Sequence, residues 1–418
     1  MQAAMAENLA KSGNNPNEDF YQAYTRWSDG GWGMIVTGQS TCYVHTFKCQ
    51  AELFAGNVQV DINHLGNFVD PALQGDYTGP KDKHVETWKK YAESCQKHGT
   101  PTIAQVCHPG RQSLRGAGRR GLFAQTMAPS PIPLKIDNSW LDSLITTLAF
   151  PKPREMTQKD IDTVTRLFVD TARLMADSGF SGIELHAAHG YLIDQFLNPK
   201  SNTRKDAYGG SAEKRAKFLL DILKECRKVV PPNFCIGVKL NSADRDPTSF
   251  EDTLVQVALL VQTGIDFLEV SGGSYENPRM VRGDSTQKDQ EKGQRTAARE
   301  AFFLEFAQET RKRHPNLVLM LTGGFRSRTG AETAIKENAC DLVGMARPAA
   351  VNPGLPKLLL DESIPAEEAE LVLDAVQSSW FARTFKSQIL GMGAETTYYA
   401  NQIHRLAKGL ATFAPALS

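Results

Sequence analysis

The sequence predicts an α/β fold: a closed (β/α)8 TIM barrel with long loops after strands two and three, a shortened N-terminus and a C-terminal helical extension. Three observations carry that expectation. Short apolar runs alternate with amphipathic helical stretches along the 418 residues, as in a parallel sheet covered by crossover helices. Each run is brief and mostly apolar on both faces, the mark of a buried parallel strand. Polar and glycine residues cluster just past the C-terminal ends of these runs, where a barrel carries its site. An open doubly wound sheet gives the same alternation with seven strands. An eighth closes the barrel, and Gln2–Ala6 reads as a remnant of that first strand.

A helix across Asn17–Asp29 leads to strand two, Gly33–Thr37. The insert Val44–Asp82 separates that strand from a helix-like Val85–His98. Strand three, Thr102–Cys107, is followed by the insert Pro109–Lys152, rich in Gly, Pro and Arg. The remaining strands are Gly182–His186, Phe234–Leu240, Ile265–Val270, Leu317–Leu321 and Asp341–Gly344. Between them, Thr157 to Asp160 forms a capping box ahead of an apolar face of Ile161, Val164, Leu167, Phe168, Leu174 and Met175. Ser211 caps the next helix and Ser249 to Asp252 opens another. Ala297–Arg313 and Arg328–Glu337 repeat the pattern. Residues 1–362 read as the barrel. Residues 363–418 read as a helical extension, with Trp380, Phe381, Phe385, Tyr398 and Tyr399 packed on the barrel wall or at a subunit contact of a homo-oligomer.

Lysine plus arginine (47) equals aspartate plus glutamate (47), so the net charge is zero; no basic surface for nucleic acid is expected. No 18-residue apolar run marks a membrane span. Met1 to Gly13 lacks a secretory pattern, which makes the cytoplasm the expected compartment. The seven cysteines form no C-x-x-C pair and read as free thiols rather than a disulfide framework, a zinc site or an iron–sulfur cluster.

The chemistry-bearing residues follow strand ends. Gln105, His108 and Arg111 belong to strand three, and His186, His189 and Tyr191 to strand four. Lys239 stands in strand five, and Ser271, Gly272 and Gly273 follow strand six. Gly323 and Gly324 follow strand seven, and Gly344 and Arg347 strand eight. The two histidines read as a metal pair, as satisfied core residues, or as donors that grip a carbonyl or nitro oxygen. The first reading lacks a third ligand and the H-E-x-x-H spacing. Tyr191, a phenol with a reference pKa near ~10, stays protonated at neutral pH and suits a proton donor; packing is its plainer role. A lysine inside a buried strand is costly unless it meets an anion or electron-rich group; a Schiff base is the competing use of Lys239. The glycine turns with a helix start at Ser327, and Arg347 beside them, suit a phosphate.

The pattern H-A-A-H-G-Y-L-x-x-Q-F-L-x-P-x-x-N-x-R-x-D-x-Y-G-G-S, from His186 to Ser211, resembles the signature of the Old Yellow Enzyme family of flavin-dependent ene-reductases. The resemblance continues through Gln105 to Arg111, Gly237 to Asp244, Thr322 to Gly324 and Gly344 to Pro348. It implies an FMN-binding barrel reduced by NADH or NADPH and a small-molecule activated alkene as substrate. His186 and His189 would bind the substrate oxygen and Tyr191 would protonate the α-carbon. Gln105 would bond the flavin pyrimidine edge and Lys239 would face N1 and O2, where many relatives have arginine. Gly323, Gly324, Gly344 and Arg347 would hold the phosphate, and Ala4, Met5 and Ala6 would lie along the ring. Two departures stand out: Ala6 sits where relatives carry threonine or cysteine, and Lys214 replaces the usual asparagine. Relatives also carry a longer segment ahead of the first strand. A degenerate or weakly flavin-binding barrel, and a flavin-dependent dehydrogenase or isomerase on a biosynthetic intermediate, are the alternative functions.

Overall fold

The computed structural model describes residues 1–5, 7, 9–10, 13–38, 41–43, 52–54, 57–136, 139–242, 247–271, 305–374, 376–377, 380, 384–385 and 387–415. Ala6, Gly272, Gly273, Phe381 and the first part of the helix expected over Ala297–Arg313 lie outside them. In chain order the N-terminal part holds α1 (Glu18–Asp29), β1 (Ile35–Thr37), β2 (Thr41–Tyr43), β3 (Glu52–Phe54), β4 (Val58–Gln59), α2 (Val85–Cys95) and β5 (Thr102–Cys107). The middle holds β6 (Met127–Ala128), α3 (Trp140–Ala149), β7 (Arg154–Glu155), α4 (Gln158–Asp177), β8 (Gly182–Ala187), α5 (Leu192–Leu197) and α6 (Ala212–Val229). Then come β9 (Cys235–Asn241), α7 (Pro247–Thr263) and β10 (Phe267–Ser271), followed by α8, a helical stretch over 305–313. The chain ends with β11 (Val318–Thr322), α9 (Arg328–Lys336), β12 (Leu342–Gly344), α10 (Arg347–Val351), α11 (Leu355–Leu359) and α12 (Gln388–Ala407). No described helix is long and apolar enough to cross a membrane.

Seven strands pair in parallel in the order β1-β5-β8-β9-β10-β11-β12. The eighth stave is the N-terminal segment. Gln2 bridges Ile35 on one side and Met345 on the other. Its N–H donates to Met34 O and its carbonyl accepts from Val36 N, while Ala3 N donates to Met345 O, each at 3.0 Å. The sheet thereby closes into the (β/α)8 barrel.

Five strands begin one or two residues later than expected, at Ile35, Cys235, Phe267, Val318 and Leu342, and four end later. β8, β9, β10 and β11 each run one residue further, to Ala187, Asn241, Ser271 and Thr322. Three of these last residues are polar, so the apolar run stops before the pairing does: Asn241 still pairs with Ser271. The first insert contains β4, which lies alongside the end of β5 through Val58 with Val106 and Gln59 with Cys107. The second insert contains the unexpected helix α3, capped by Ser139.

Strand side chains alternate between the barrel interior and the helical shell. Ile183, Leu185, Ile236, Val238, Leu240, Leu268, Val270, Leu319 and Leu321 face outward into the main core. Inside, Val36, Ile103 and Phe267 form an apolar floor with Ala4. Gly237 makes room there: a Cβ would stand 2.1 Å from Cε1 of Phe267. Above the floor lie Gln105, Glu184, Lys239 and Glu269, all buried. The strands are therefore not apolar on both faces; their inner face turns polar halfway up. The helices seal the outside. Thr157 and Asp160 form the reciprocal capping box of α4, worth about 1 kcal/mol. Helix α12 packs against α1 and α10, and Asp142 Oδ1 accepts from Ser387 Oγ and from Ile389 N, the latter at 3.3 Å.

Candidate active site

His186 is the last inward position of β8 and lies opposite Lys239 in register. Past the strand the chain makes a tight turn in which His189 (φ 60°) and Gly190 (φ 79°) are both left-handed. A non-glycine residue there is uncommon and marks a backbone held by its surroundings. The holding groups are explicit. His189 N donates to Asn241 Oδ1 at 3.2 Å and Gly190 N to Asp194 Oδ2 at 2.6 Å. Gln112 Nε2 bonds His189 O at 3.0 Å, and Gln195 Nε2 bonds Gly190 O at 2.7 Å. Asn241 Nδ2 closes the set on Asp194 at 3.1 Å.

This turn stacks three rings edge to face. The His186 and His189 centroids are 5.0 Å apart, and Tyr191, fully buried, meets His186 at 4.7 Å. A backbone hydrogen bond assigns the His186 tautomer. Nδ1 of His186 accepts from Ala188 N at 3.3 Å, so the ring hydrogen sits on Nε2. Nε2 of His189 meets Ser271 Oγ at 3.0 Å. A serine hydroxyl donates or accepts, so this contact fits either His189 tautomer; with the hydroxyl donating, the ring hydrogen sits on Nδ1. His186 Nε2 and His189 Nδ1 are both buried with no hydrogen-bond partner among the described residues. Burial holds both imidazoles well below their usual pKa; the Lys239 charge adds to it in both, and His189 adds to it for His186. Two neutral rings thus each present one unpartnered nitrogen, and that of His186 carries its hydrogen.

Beneath them the polar layer is a proton-sharing set. Lys239 Nζ lies 2.7 Å from Glu269 Oε1, with side chains 4% and 0% exposed. Gln105 Nε2 donates to Glu184. Burial, then the Glu269 charge, pushes the Glu184 carboxyl well above the carboxylate range. Burial acts upward on Glu269 too, but Lys239, together with hydrogen bonds from Glu184 and Thr322, outweighs it and lowers its pKa. One carboxyl carries a proton, the other a charge, and the lysine balances it. The buried lysine has found its anion, which leaves no reason to invoke a Schiff base.

The phosphate-type features gather at the ends of β11 and β12. Gly323 (φ 137°) and Gly324 (φ 82°) are both left-handed. Ser327 caps α9 by accepting from Gly330 N. A Cβ on Gly344 would stand 2.1 Å from Thr322 Oγ1. Arg347 opens α10 and is ion-paired with Glu395 of α12. Arg326 anchors on Leu373 O at 3.1 Å, its pKa lowered by burial and by the Arg347 charge. The N-terminal segment behaves differently: the Ala4 side chain packs into the floor and Met5 into the outer core.

Glu184, Glu269 and Asn241 were not singled out from the sequence. Their signal is alternation: each occupies an inward position of a strand that already carries His186, Ser271 or Lys239. A second polar group, Asp61, His64 and His108, is buried nearby with ligand atoms within 4.8 Å of one another. Nδ1 of His108 accepts from Gly110 N at 3.0 Å, so its Nε2 carries the hydrogen toward Asp61, 3.7 Å away. Burial raises the Asp61 carboxyl, but hydrogen bonds from His108 and His64 outweigh it and hold it well below the usual range. His64 Nδ1 is bonded to Asp61 at 2.6 Å, whereas His108 Nε2 is buried without a hydrogen-bond partner among the described residues.

The chain matches the model of the NADH:flavin oxidoreductase / NADH oxidase family over residues 73–363. It is 41% identical over 413 residues to the NADH-dependent flavin oxidoreductase iliE of Neonectria sp. (strain DH2), covering 97% of this chain and 51% of that protein, so the chain spans about half the length of that relative. It is 40% identical over 385 residues to iliE of Hypocrea jecorina, covering 92% of this chain and 90% of that protein. Among solved structures, morphinone reductase superposes with a TM-score of 0.64 at 21% identity, covering 86% of this chain and 84% of that one. An Old Yellow Enzyme homologue from Zymomonas mobilis superposes with a TM-score of 0.64 at 21% identity, covering 88% and 91%. The barrel agrees with those solved folds, the sequence match covers most of its staves, and the chain belongs to the NADH:flavin oxidoreductase / NADH oxidase family, the family of Old Yellow Enzyme.

Proposed function

We propose that this chain is an FMN-dependent oxidoreductase that passes reducing equivalents from NADH or NADPH to the activated C=C bond of an α,β-unsaturated carbonyl or nitro compound. One observation carries the reading: two neutral imidazoles, each with an unpartnered buried ring nitrogen, stand beside a buried tyrosine over a polar barrel layer. FMN, when bound, would supply the two-electron carrier.

The residues present fit that group. Gln105 Oε1 is buried without a partner among the described residues and suits a pyrimidine N–H. Lys239 would face N1 and O2. Left-handed Gly323 and Gly324, Gly344 and Arg347 suit the phosphate. Backbone of Ala4 and Met5 would flank the ring; Ala6 lies outside the described residues.

The chain's own groups then act on the substrate. His186 Nε2–H and His189 Nδ1–H would hold its oxygen and stabilise the charge that develops there as the alkene is reduced. Removing one such donor typically costs about 10²–10³-fold in rate. The rings reach this state because burial keeps them neutral: a neutral ring with one fixed N–H donates without losing its proton. Tyr191, against His186, would deliver a proton to the α-carbon.

A weakly flavin-binding barrel is the second reading. The observation favouring it is that both cations assigned to the cofactor, Lys239 and Arg347, already hold carboxylate partners. An absorbance spectrum of the purified chain, before and after NADH and then an enone, tests the proposal. The expected outcome is a flavin band bleached by the nicotinamide and restored by the enone. A colourless protein that takes up no added FMN refutes it.

A further inference from the structure

We propose that Glu395 competes with the phosphate of the cofactor for Arg347, so that C-terminal helix α12 sets how readily a phosphate-bearing flavin loads. The proposal rests on the reading of Arg347 as a phosphate ligand. Its own basis is the ion pair between Arg347 Nη1 and Glu395 Oε1, made across 48 residues of chain, with side chains 27% and 16% exposed.

Charge counting separates competition from mere support. Arg326 and Arg347 face each other closely enough to depress Arg326, and Glu395 is the carboxylate in contact with Arg347. Two cations and one anion leave one net positive charge. A phosphomonoester brings about 1.5 to 2 negative charges at pH 7. With Glu395 ionised, the set closes on excess negative charge; with it neutral or turned away, the set closes near zero. The other groups facing Glu395 do not alter the sum by much. Tyr399, on the same helix, is pushed up to about 12 by burial and stays neutral, and Glu370 is felt at Arg326 only weakly. Burial raises the Glu395 pKa and outweighs the opposing pull of Arg347 and then Arg326. An incoming phosphate would take those partners away.

Helix α12 has anchors other than Glu395. Helix α12 buries Tyr399, Ile403 and Leu406 in the main core. The chain around it is fastened by Ser387 and Ile389 on Asp142 and by Thr412 on Val351 O. The carboxylate on Arg347 is therefore free to act on the ligand balance.

The test compares FMN with riboflavin, which shares the ring and lacks the phosphate. The full chain is stripped of flavin and each flavin is titrated by fluorescence quenching into wild type, Glu395→Gln and Glu395→Ala. Glu395→Gln is expected to tighten FMN about tenfold, the scale of one like-charge contact at a half-buried site, and to leave riboflavin unchanged. Glu395→Ala should move FMN in the same direction. Weaker FMN binding in both variants would overturn the proposal and make Glu395 a support for Arg347. An equal change for both flavins would overturn it in favour of helix packing. If FMN and riboflavin bind but their ratio ignores position 395, the proposal falls alone. If neither flavin binds to any form, the flavin reading falls and takes the proposal with it.

Discussion

Replacing Lys239 by methionine removes the one cation that meets Glu269 among the described residues, a side chain with no exposure. The carboxylate then has no partner of opposite charge in the barrel interior and escapes by taking a proton. Its reference pKa is about 4.3, so holding it protonated at pH 7 costs about 1.36 × 2.7, or about 4 kcal/mol. That lies within the range of about 3–5 kcal/mol typical for breaking a buried pair. At pH 5 the same cost is about 1 kcal/mol. The sign follows from the two folded states. In the native chain Lys239 keeps the Glu269 pKa below its ordinary value; the pair's stabilisation is present above that value and is lost as pH falls through the folded pKa. In the variant the folded pKa lies above the ordinary value, so the variant loses stability as pH rises from about 4 toward it. The gap between the two proteins must widen with pH. Glu184 is pushed up already and carries its proton, so it adds little to the difference. Urea unfolding of flavin-free protein at pH 5.5 and pH 7.5 reads the gap, and Lys239→Met with Glu269→Gln should regain most of it. A gap of equal size at both pH values, or a double variant no more stable than the single, refutes the assignment of Glu269 as the stranded charge.

Three further outcomes are expected. Tyr191→Phe should lower alkene turnover by about 10²–10⁴-fold while the rate of flavin reduction by NADH stays near wild type in stopped flow; matched losses would remove Tyr191 as the donor. Ser271→Ala should release the His189 tautomer, lower enone turnover and change the imidazole ¹⁵N spectrum, with Ser271→Thr restoring both; an unchanged spectrum would show that the 3.0 Å contact does not select the tautomer. Gly344→Ala forces a methyl group against Thr322 Oγ1, so the purified variant should carry markedly less flavin. A full complement would place the phosphate elsewhere.

The staves were legible where inner and outer faces agreed. Thr102–Cys107 is read to the residue because its last inward position, Cys107, is apolar, although Gln105 is polar between Ala104 and Val106. The strand ends at Asn241, Ser271 and Thr322 were not, because a polar residue at the mouth looks like the start of a loop. Glu184 is hidden between Ile183 and Leu185, and Glu269 between Leu268 and Val270. Only the register that sets Lys239 beside Glu269 shows that they form one layer. Helix α3 escaped notice because its outward face is itself apolar. Trp140, Leu144 and Leu148 are exposed, so the contrast that reveals a surface helix is missing. The imidazole pair was visible at once in the spacing of His186 and His189. Which nitrogen of each ring faces the mouth depends on Ala188 N and Ser271 Oγ, which no spacing reports. The pairing of Arg347 with Glu395 depends on how the last helix returns to the barrel.

The left-handed backbone at His189 also fixes an alphabet. Glycine, asparagine, aspartate and histidine tolerate that conformation with least strain, and branched or bulky side chains do not. Of those four, only histidine and asparagine carry a side-chain N–H. A mutant library built at this codon is therefore sorted by torsion angle before any substrate is added. Its survivors with a working donor should reduce to two letters, and asparagine is the one substitution that keeps both the turn and the grip.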